Sequence, residues 1–297
     1  MSELRVCQDP RMVPYRKFEE YKDRYKEHFF LDRTEDGIMT AKWHTDGKEL
    51  VWNLSIHRAI HQLAEDVGQD SETEIFILGG TGKNWTAEIG GGVEETPENK
   101  KWLSYEHMYY DGCNICENLI WDIQVPTIGV INGPGMHTEM ALFCDITLIA
   151  DDATIVDPHY FSGMVPGDGI QIAFREAMGL KRANYAMLMG ELITPQKALE
   201  YGMVNEIVPK AKIYDRALEI ARQLMKQDRI SRRATVQILR QPWKEALSKE
   251  LRGGFGTEMW TYLATNSNHN GAANGGDELL RKTGAQVRGE YGMYMEK

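Results

Sequence analysis

The sequence predicts an α/β fold that gives way to an all-helical C-terminal region. Three observations carry this: short apolar, β-branched runs that end in glycine turns, segments between them with helical spacing, and a purely helical pattern after about residue 210. In residues 1–37, Phe18, Tyr21, Tyr25 and Phe29 recur at three- or four-residue steps, so this charged and aromatic stretch reads as a helical arm. From Ile38 the pattern becomes strand (38–44), tight turn at Asp46 and Gly47, then helical spacing over 50–66. Residues 74–78 form a short strand that runs into Gly79-Gly-Thr-Gly82, where glycine allows positive φ or close backbone approach. A long helix is predicted over 97–123, a buried strand over 125–131 and a turn at 132–135. Residues 138–144 read as a helix, 145–150 and 153–156 as a strand pair, and 163–169 as a loop into a helix at 170–178. Helices follow near 211–227, 229–240 and 242–264. The expected divisions are a core carrying the site at 38–210, a helical region at 211–265, and a flexible link and tail at 266–297 that includes an Asn/Gly-rich stretch.

Composition narrows the function classes. A chain of 297 residues with 42% hydrophobic and 26% charged side chains has ample material for a core, and a mean hydropathy of −0.46 fits water rather than lipid. Thirty-four basic against forty-four acidic residues give −10, which repels phosphate backbones and anionic leaflets, so neither nucleic acid nor membrane is expected as a partner. No run approaches 18 apolar residues and the first residues lack an apolar signal region, so the expected location is cytoplasmic. Four cysteines are too few for a secreted disulfide framework; Cys113 and Cys116 form a C-x-x-C within helical spacing and read as buried packing. No complete metal-ligand set is apparent from spacing, so no metal or other cofactor is expected and a chelator should have no effect.

The glycine loop at 79–82 matches neither a Walker nor a dinucleotide fingerprint. Three other segments put polar groups where strand ends meet loops, the usual place for sites in open α/β sheets: Met136-His-Thr-Glu139, Asp157-Pro-His-Tyr160 and Pro166-Gly-Asp-Gly169. His137 would sit at a helix N-terminus, whose dipole favours a neutral ring able to donate a hydrogen bond. His159 follows Pro158, and Asp168 lies nine positions on, beyond a glycine-rich bend that allows the loop to return.

Four stretches, Thr73-Glu-Ile-Phe-Ile-Leu-Gly-Gly-Thr-Gly-Lys-Asn-Trp85, Pro126-Thr-Ile-Gly-Val-Ile-Asn-Gly133, Ala141-Leu-Phe-Cys-Asp-Ile-Thr-Leu-Ile-Ala150 and Ala198-Leu-Glu-Tyr-Gly-Met-Val-Asn-Glu-Ile-Val208, resemble the crotonase (enoyl-CoA hydratase) superfamily over roughly residues 38–265. The resemblance implies a spiral of ββα units followed by C-terminal helices that build homotrimers, which pair into homohexamers. It also places the usual catalytic carboxylates at Glu139 and at the position of His159. Because His159 replaces a glutamate and Ala87-Glu-Ile-Gly90 departs from the usual oxyanion-hole segment, the chain looks closer to the β-diketone hydrolase branch typified by 6-oxocamphor hydrolase. Trp43-His-Thr-Asp-Gly-Lys-Glu-Leu-Val-Trp52 and Pro158-His-Tyr-Phe-Ser-Gly-Met-Val-Pro-Gly-Asp-Gly169 carry that likeness. The glycine cluster at 90–92 and the acidic run beside it depart from it.

The likeness implies that His159, Asp168, His137 and Glu258 are catalytic, and that His44, Trp43 and Glu139 line the substrate. Backbone N–H groups of Ile89 and Met136 are candidates for an oxyanion hole. The expected reaction is metal-free cleavage of a small-molecule 1,3-diketone, with His159, steered by Asp168 and Glu258, drawing a proton from water and His137 serving the enolate. One alternative is an acyl-CoA hydratase, isomerase or thioester hydrolase that uses Glu139. Another is a non-catalytic RNA-binding member of the superfamily.

Overall fold

The elements follow the hydrophobic pattern and its interruptions in a computed structural model that describes residues 11–86, 88–90, 96–265, 278, 279 and 282. In chain order the strands are β1 (Phe29–Arg33), β2 (Ile38–Trp43), β3 (Val51–Trp52), β4 (Ile75–Gly80), β5 (Glu88–Ile89), β6 (Thr127–Ile131), β7 (Ile146–Ala150) and β8 (Glu206–Val208). One sheet runs β1-β2-β4-β6-β7-β8, parallel except for antiparallel β1, and β3 pairs with β5 in a separate parallel ribbon. Every residue of β4 and β6 is buried, which is why both read as continuous apolar runs rather than alternating ones.

The first helix, α1 (Phe18–Tyr21), and a 3-10 turn over Lys22–Tyr25 carry the aromatic face predicted for the arm, but Phe29 opens β1 instead of continuing the helix. Phe29 extends the helical spacing of Phe18, Tyr21 and Tyr25 only because it is the first, inward residue of β1, whose own burial then alternates every second residue. The turn at Asp46 (φ 51) and Gly47 closes as expected, and α2 (Leu54–Gln69) is capped by Asn53, whose side chain accepts from the Ser55 and Ile56 amides. The helix expected over 97–123 is present as three joined pieces, α3 (Lys100–Trp102), a π-helical stretch Leu103–Tyr110 and α4 (Asp111–Trp121), with Cys113 and Cys116 buried in the last. Residues 153–156 do not form a strand: Ile155 makes only isolated bridges to Gly135 and Ile193. α5 (Glu139–Leu142) is shorter than the pattern suggested. The flexible link expected at 266–276, the glycines at 91 and 92 and most of the tail lie outside the described residues.

After β7 come α6 (Ile170–Met178), α7 (Leu180–Met189), α8 (Pro195–Tyr201) and, past β8, α9 (Ile213–Leu224), α10 (Arg229–Leu239) and α11 (Gln241–Thr265). Two contacts make this helical region part of the site. The backbone of Gly167 passes so close to Gly254 in α11 that a Cβ would lie 2.2 Å from the Gly254 carbonyl oxygen, and Val165 N donates to Thr261 Oγ1 at 3.2 Å. Only glycine lets α11 press against the 163–169 loop. At the other end of the region, buried Arg240 clamps Asp145 at the start of β7 and the carbonyls of Ile123 and Val125. No helix among the described residues is long and apolar enough to cross a membrane.

Candidate active site

The loops leaving the C-terminal ends of β4, β6 and β7 meet above the sheet. Asn132, just after β6, stitches them: its Oδ1 accepts from Gly80 N at 3.0 Å, and its Nδ2 donates to the carbonyls of Gly82 and Asn84. A Cβ at Gly135 would sit 2.5 Å from Thr86 N, so the 132–136 turn lies directly on the 84–86 segment. His137 then takes a left-handed backbone (φ 54), uncommon for a non-glycine residue, while Trp85 Nε1 donates to its carbonyl at 3.0 Å. Its ring stacks on Trp52, with centroids 4.1 Å apart and planes 17° apart.

Five sequence-predicted residues converge here. His137 Nδ1 lies 3.2 Å from Glu139 Oε1 and 3.2 Å from Asp168 Oδ2. His159 Nε2 lies 3.6 Å from the same Asp168 oxygen and 3.8 Å from Glu258 Oε1. Asp168 thus faces both rings, whose centroids are 5.8 Å apart and nearly perpendicular. Its other oxygen accepts from Ile170 N at 3.2 Å, and Glu258 Oε2 accepts from Gly167 N at 2.9 Å, which ties α11 to the loop.

The steering of His159 differs from the expectation. Asp157, not Asp168, holds the ring: Nδ1 donates to Asp157 Oδ1 at 2.6 Å, and the same oxygen accepts from His159 N at 3.2 Å. Asp168 and Glu258 instead stand before Nε2, at separations too long for a direct hydrogen bond. The Asp-Pro-His order carried the signal, because an aspartate readily bonds the backbone two residues on and so folds back on its neighbour. Trp52 is a site residue that the sequence did not reveal; it closes the Trp43 stretch, from which the resemblance implied only Trp43 and His44.

The charge state of His137 is a correction too. A four-residue helix contributes little dipole, whereas two carboxylates touch the ring. Burial works against a charge there, but Glu139 and Asp168 outweigh it and push the His137 pKa up to about 9, so the ring is an imidazolium at neutral pH rather than neutral. Burial likewise opposes charge on His159, and Asp168, Asp157 and Glu258 raise it well above the usual histidine range. Burial also acts against the Asp168 carboxylate, yet the His159 and His137 rings hold it well below the usual range. Burial pushes Glu258 up to about 8, only partly offset by His159, and it raises Glu139 as well.

Two predicted residues stand apart. Trp43 is fully buried, donates through Nε1 to Trp85 O at 2.7 Å and packs against Trp85 and Trp52, so it backs the site without offering a surface to a ligand. His44 leans on Phe30 (centroids 4.0 Å) and accepts from Gly47 N at 3.1 Å. Among the described residues none of its contacts reaches His137, His159, Asp168 or Glu258. Ile89 and Met136 are buried. Gly90 N donates to Trp52 O in the β3–β5 pair, which turns the Ile89 N–H away from β3.

Spacing had offered no metal set, but the folded chain brings together two groups of three potential ligand atoms that share Asp168: His137, Glu139 and Asp168, and His159, Asp168 and Glu258.

Residues 54–272 match the family described as enoyl-CoA hydratase/isomerase. Hydroxycinnamoyl-CoA hydratase-lyase from Pseudomonas fluorescens is 28% identical over 207 residues, 67% of this chain and 74% of that protein. 4-Chlorobenzoyl coenzyme A dehalogenase-2 from Arthrobacter sp. is 25% identical over 66% of this chain and 72% of its own length. Among solved structures, a β-diketone hydrolase from the cyanobacterium Anabaena sp. PCC 7120, bound to (S)-3-oxocyclohexyl acetic acid, superposes with a TM-score of 0.77 at 33% identity, covering 83% of this chain and 98% of its own. An enoyl-CoA hydratase from Mycobacterium avium subsp. paratuberculosis K-10 has a TM-score of 0.72 at 17% identity, covering 84% of this chain and 96% of its own, and so shares the fold. The α/β core with its trailing helices is the crotonase fold, and the chain belongs to the enoyl-CoA hydratase/isomerase family.

Proposed function

We propose that the chain hydrolyses a carbon–carbon bond of a 1,3-diketone without a metal or other cofactor. One observation carries the reading: two imidazoles and the carboxylate between them, His137, Asp168 and His159, share one cluster whose side chains are at most 10% exposed. Similarity to the Anabaena β-diketone hydrolase supports it.

The bond between a carbonyl carbon and the central carbon of a 1,3-diketone can break because the departing carbanion is an enolate. His159 is the group to take a proton from water while the hydroxyl adds to one carbonyl, and Asp157 keeps Nδ1 protonated so that Nε2 is the basic nitrogen. Since Asp168 and Glu258 favour the protonated ring, the free base forms only as pH rises, and kcat/KM should climb with pH through that raised value. Amides of Ile89 and Met136 are the candidates to hold the first oxyanion; losing one such donor elsewhere costs about 2.7–4 kcal/mol. Collapse breaks the carbon–carbon bond. The His137 imidazolium, a stronger donor than the neutral ring first expected, then protonates the enolate. Water supplies OH to the acyl carbon and H to the other fragment, giving an acid and a ketone, or one keto acid from a cyclic substrate.

The test is a panel of cyclic and acyclic 1,3-diketones, followed by loss of enol absorbance and mass analysis of the acids. Stoichiometric acid formation supports the reading. A chain inert to every diketone but turning over crotonyl-CoA would favour the thioester alternative built on Glu139.

A further inference from the structure

We propose that Cys116 is a positioning residue for Asp168: its thiol, on α4, holds the loop that presents this carboxylate to His137 and His159. The inference deepens the proposed hydrolysis and rests on that reading for its kinetic consequence alone, because the contact itself is geometric.

Residues 164–169 belong to no helix or strand, so their place is set by what surrounds them. On one side α11 takes hold, through Glu258 Oε2 on Gly167 N and Thr261 Oγ1 on Val165 N. Cys116 supplies the other side. Its Sγ donates to the Asp168 carbonyl oxygen at 3.3 Å, and no other donor reaches that carbonyl among the described residues. Gly169, the next residue, has φ 117, and a Cβ there would lie 2.8 Å from the same sulfur. One atom therefore bears on two consecutive loop residues. α4 is itself seated against α11, since Gly112 has no room for a Cβ beside the Phe255 ring. Two joined helices thus grip the loop.

The thiol is suited to this part. Cys116 is buried, and burial, followed by the Glu139 and Asp168 carboxylates, pushes its pKa well above the usual cysteine range, so it keeps its proton and acts as a donor. A thiol is a weak donor, but the carbonyl it serves is buried with Asp168, and a buried acceptor left without a donor is costly. Removing the thiol should therefore let the loop shift toward another partner. Cys113, three residues earlier in the C-x-x-C, is equally buried and makes no hydrogen bond to the loop among the described residues. Packing accounts for Cys113; Cys116 also aims a catalytic carboxylate.

The experiment compares Cys116→Ala, Cys116→Ser and Cys113→Ala with the parent chain by backbone hydrogen exchange over residues 167–170 and by steady-state diketone kinetics. Cys116→Ala should speed exchange there at least about tenfold, while Cys113→Ala, with the same lost volume, should not. On a diketone, Cys116→Ala should lower kcat about tenfold with KM within about twofold, because misplacing a catalytic group by less than 1 Å costs on this scale. The serine hydroxyl can donate to the same carbonyl and should recover most of both losses. Melting checks that each variant folds; if Cys116→Ala does not, Cys116→Val, which keeps bulk without a donor, takes its place. Exchange and kcat in Cys116→Ala equal to those in Cys113→Ala, or a serine variant no better than alanine, would overturn the assignment. Exchange needs no substrate. Faster exchange in Cys116→Ala, from a parent inert on every diketone, would uphold the positioning and remove the hydrolysis, whereas turnover by a parent whose loop ignores Cys116→Ala would do the reverse.

Discussion

Two buried polar clusters in this chain use the same side-chain chemistry to opposite ends. At the joint between α10 and α11, Arg240 meets Asp145 through Nε at 2.8 Å and Nη2 at 2.5 Å, and its remaining donors reach the Ile123 and Val125 carbonyls. Asp145 Oδ2 also accepts from Thr127 N and Thr127 Oγ1. One cation meets one anion, and the surplus capacity goes to neutral partners. Around Asp168 the count is unequal: carboxylates outnumber imidazoles, and Glu139 Oε2 and Asp157 Oδ2 have no partner. A closed pair locks a helix to a strand. An unequal cluster keeps protons mobile, which suits catalysis and costs stability.

Breaking each cluster should therefore have different consequences. The largest effect is expected at the closed pair: Arg240→Ala strips the half-buried Asp145 carboxylate of its cation and should cost about 3 kcal/mol in urea unfolding, the low end for a broken buried pair, with little change in turnover per folded molecule. At the open cluster, His159→Ala and Asp168→Asn should each lower kcat on the true diketone by at least about a hundredfold, the usual scale of lost general-base help. Near-normal turnover in steady-state assays would remove both from the mechanism.

Acidity sharpens the contrast further. His137 has its pKa raised to about 9 from an ordinary 6.5, so its contribution to stability is complete below pH 6.5 and is lost as pH rises through 9. Glu258, raised to about 8 from 4.5, acts with the same sign over pH 4.5–8, because the folded chain holds a proton that the unfolded chain has released. Asp168 works oppositely and only in acid, where its depressed value makes stability fall as pH falls below the ordinary carboxylate range. Melting temperature should thus decline from about pH 5 to 9, and Glu258→Gln should flatten the lower part of that slope. A flat profile in the parent protein would contradict the charge assignment. The smallest effect is expected for Glu139→Gln: removing a buried charge with an unpaired oxygen should leave stability unchanged or raise it by up to about 1 kcal/mol.

How much of this was legible in the sequence follows the range of each interaction. β4 and β6 are visible because burial on both faces writes itself as an apolar run, β2 because its buried and half-exposed residues alternate from Met39 on, and α6 because a Gly-Asp-Gly loop leads straight into it. β1 is hidden because its first residue, Phe29, falls in step with the helical spacing of Phe18, Tyr21 and Tyr25, and a five-residue edge strand offers little alternation of its own. His137, His159 and Asp168 stood out at strand ends, but Glu258 lies ninety residues further along, and no local pattern brings α11 onto the Gly167 loop; only the family resemblance reached it. The imidazolium of His137 was misjudged because carboxylates from elsewhere in the chain, not its own short helix, set the field. Asp157 is legible two residues upstream of His159, because an aspartate bonds the backbone two residues on, but the same ring also faces the more distant Asp168 carboxylate, which the glycine-rich bend returns to it.

The most direct measurement runs one purified preparation against two substrates, a cyclic 1,3-diketone and crotonyl-CoA, with the parent chain, His159→Ala and Glu139→Gln. Diketone cleavage that His159→Ala abolishes is expected, with no thioester turnover in any of the three. Thioester turnover that survives His159→Ala and disappears with Glu139→Gln would contradict it.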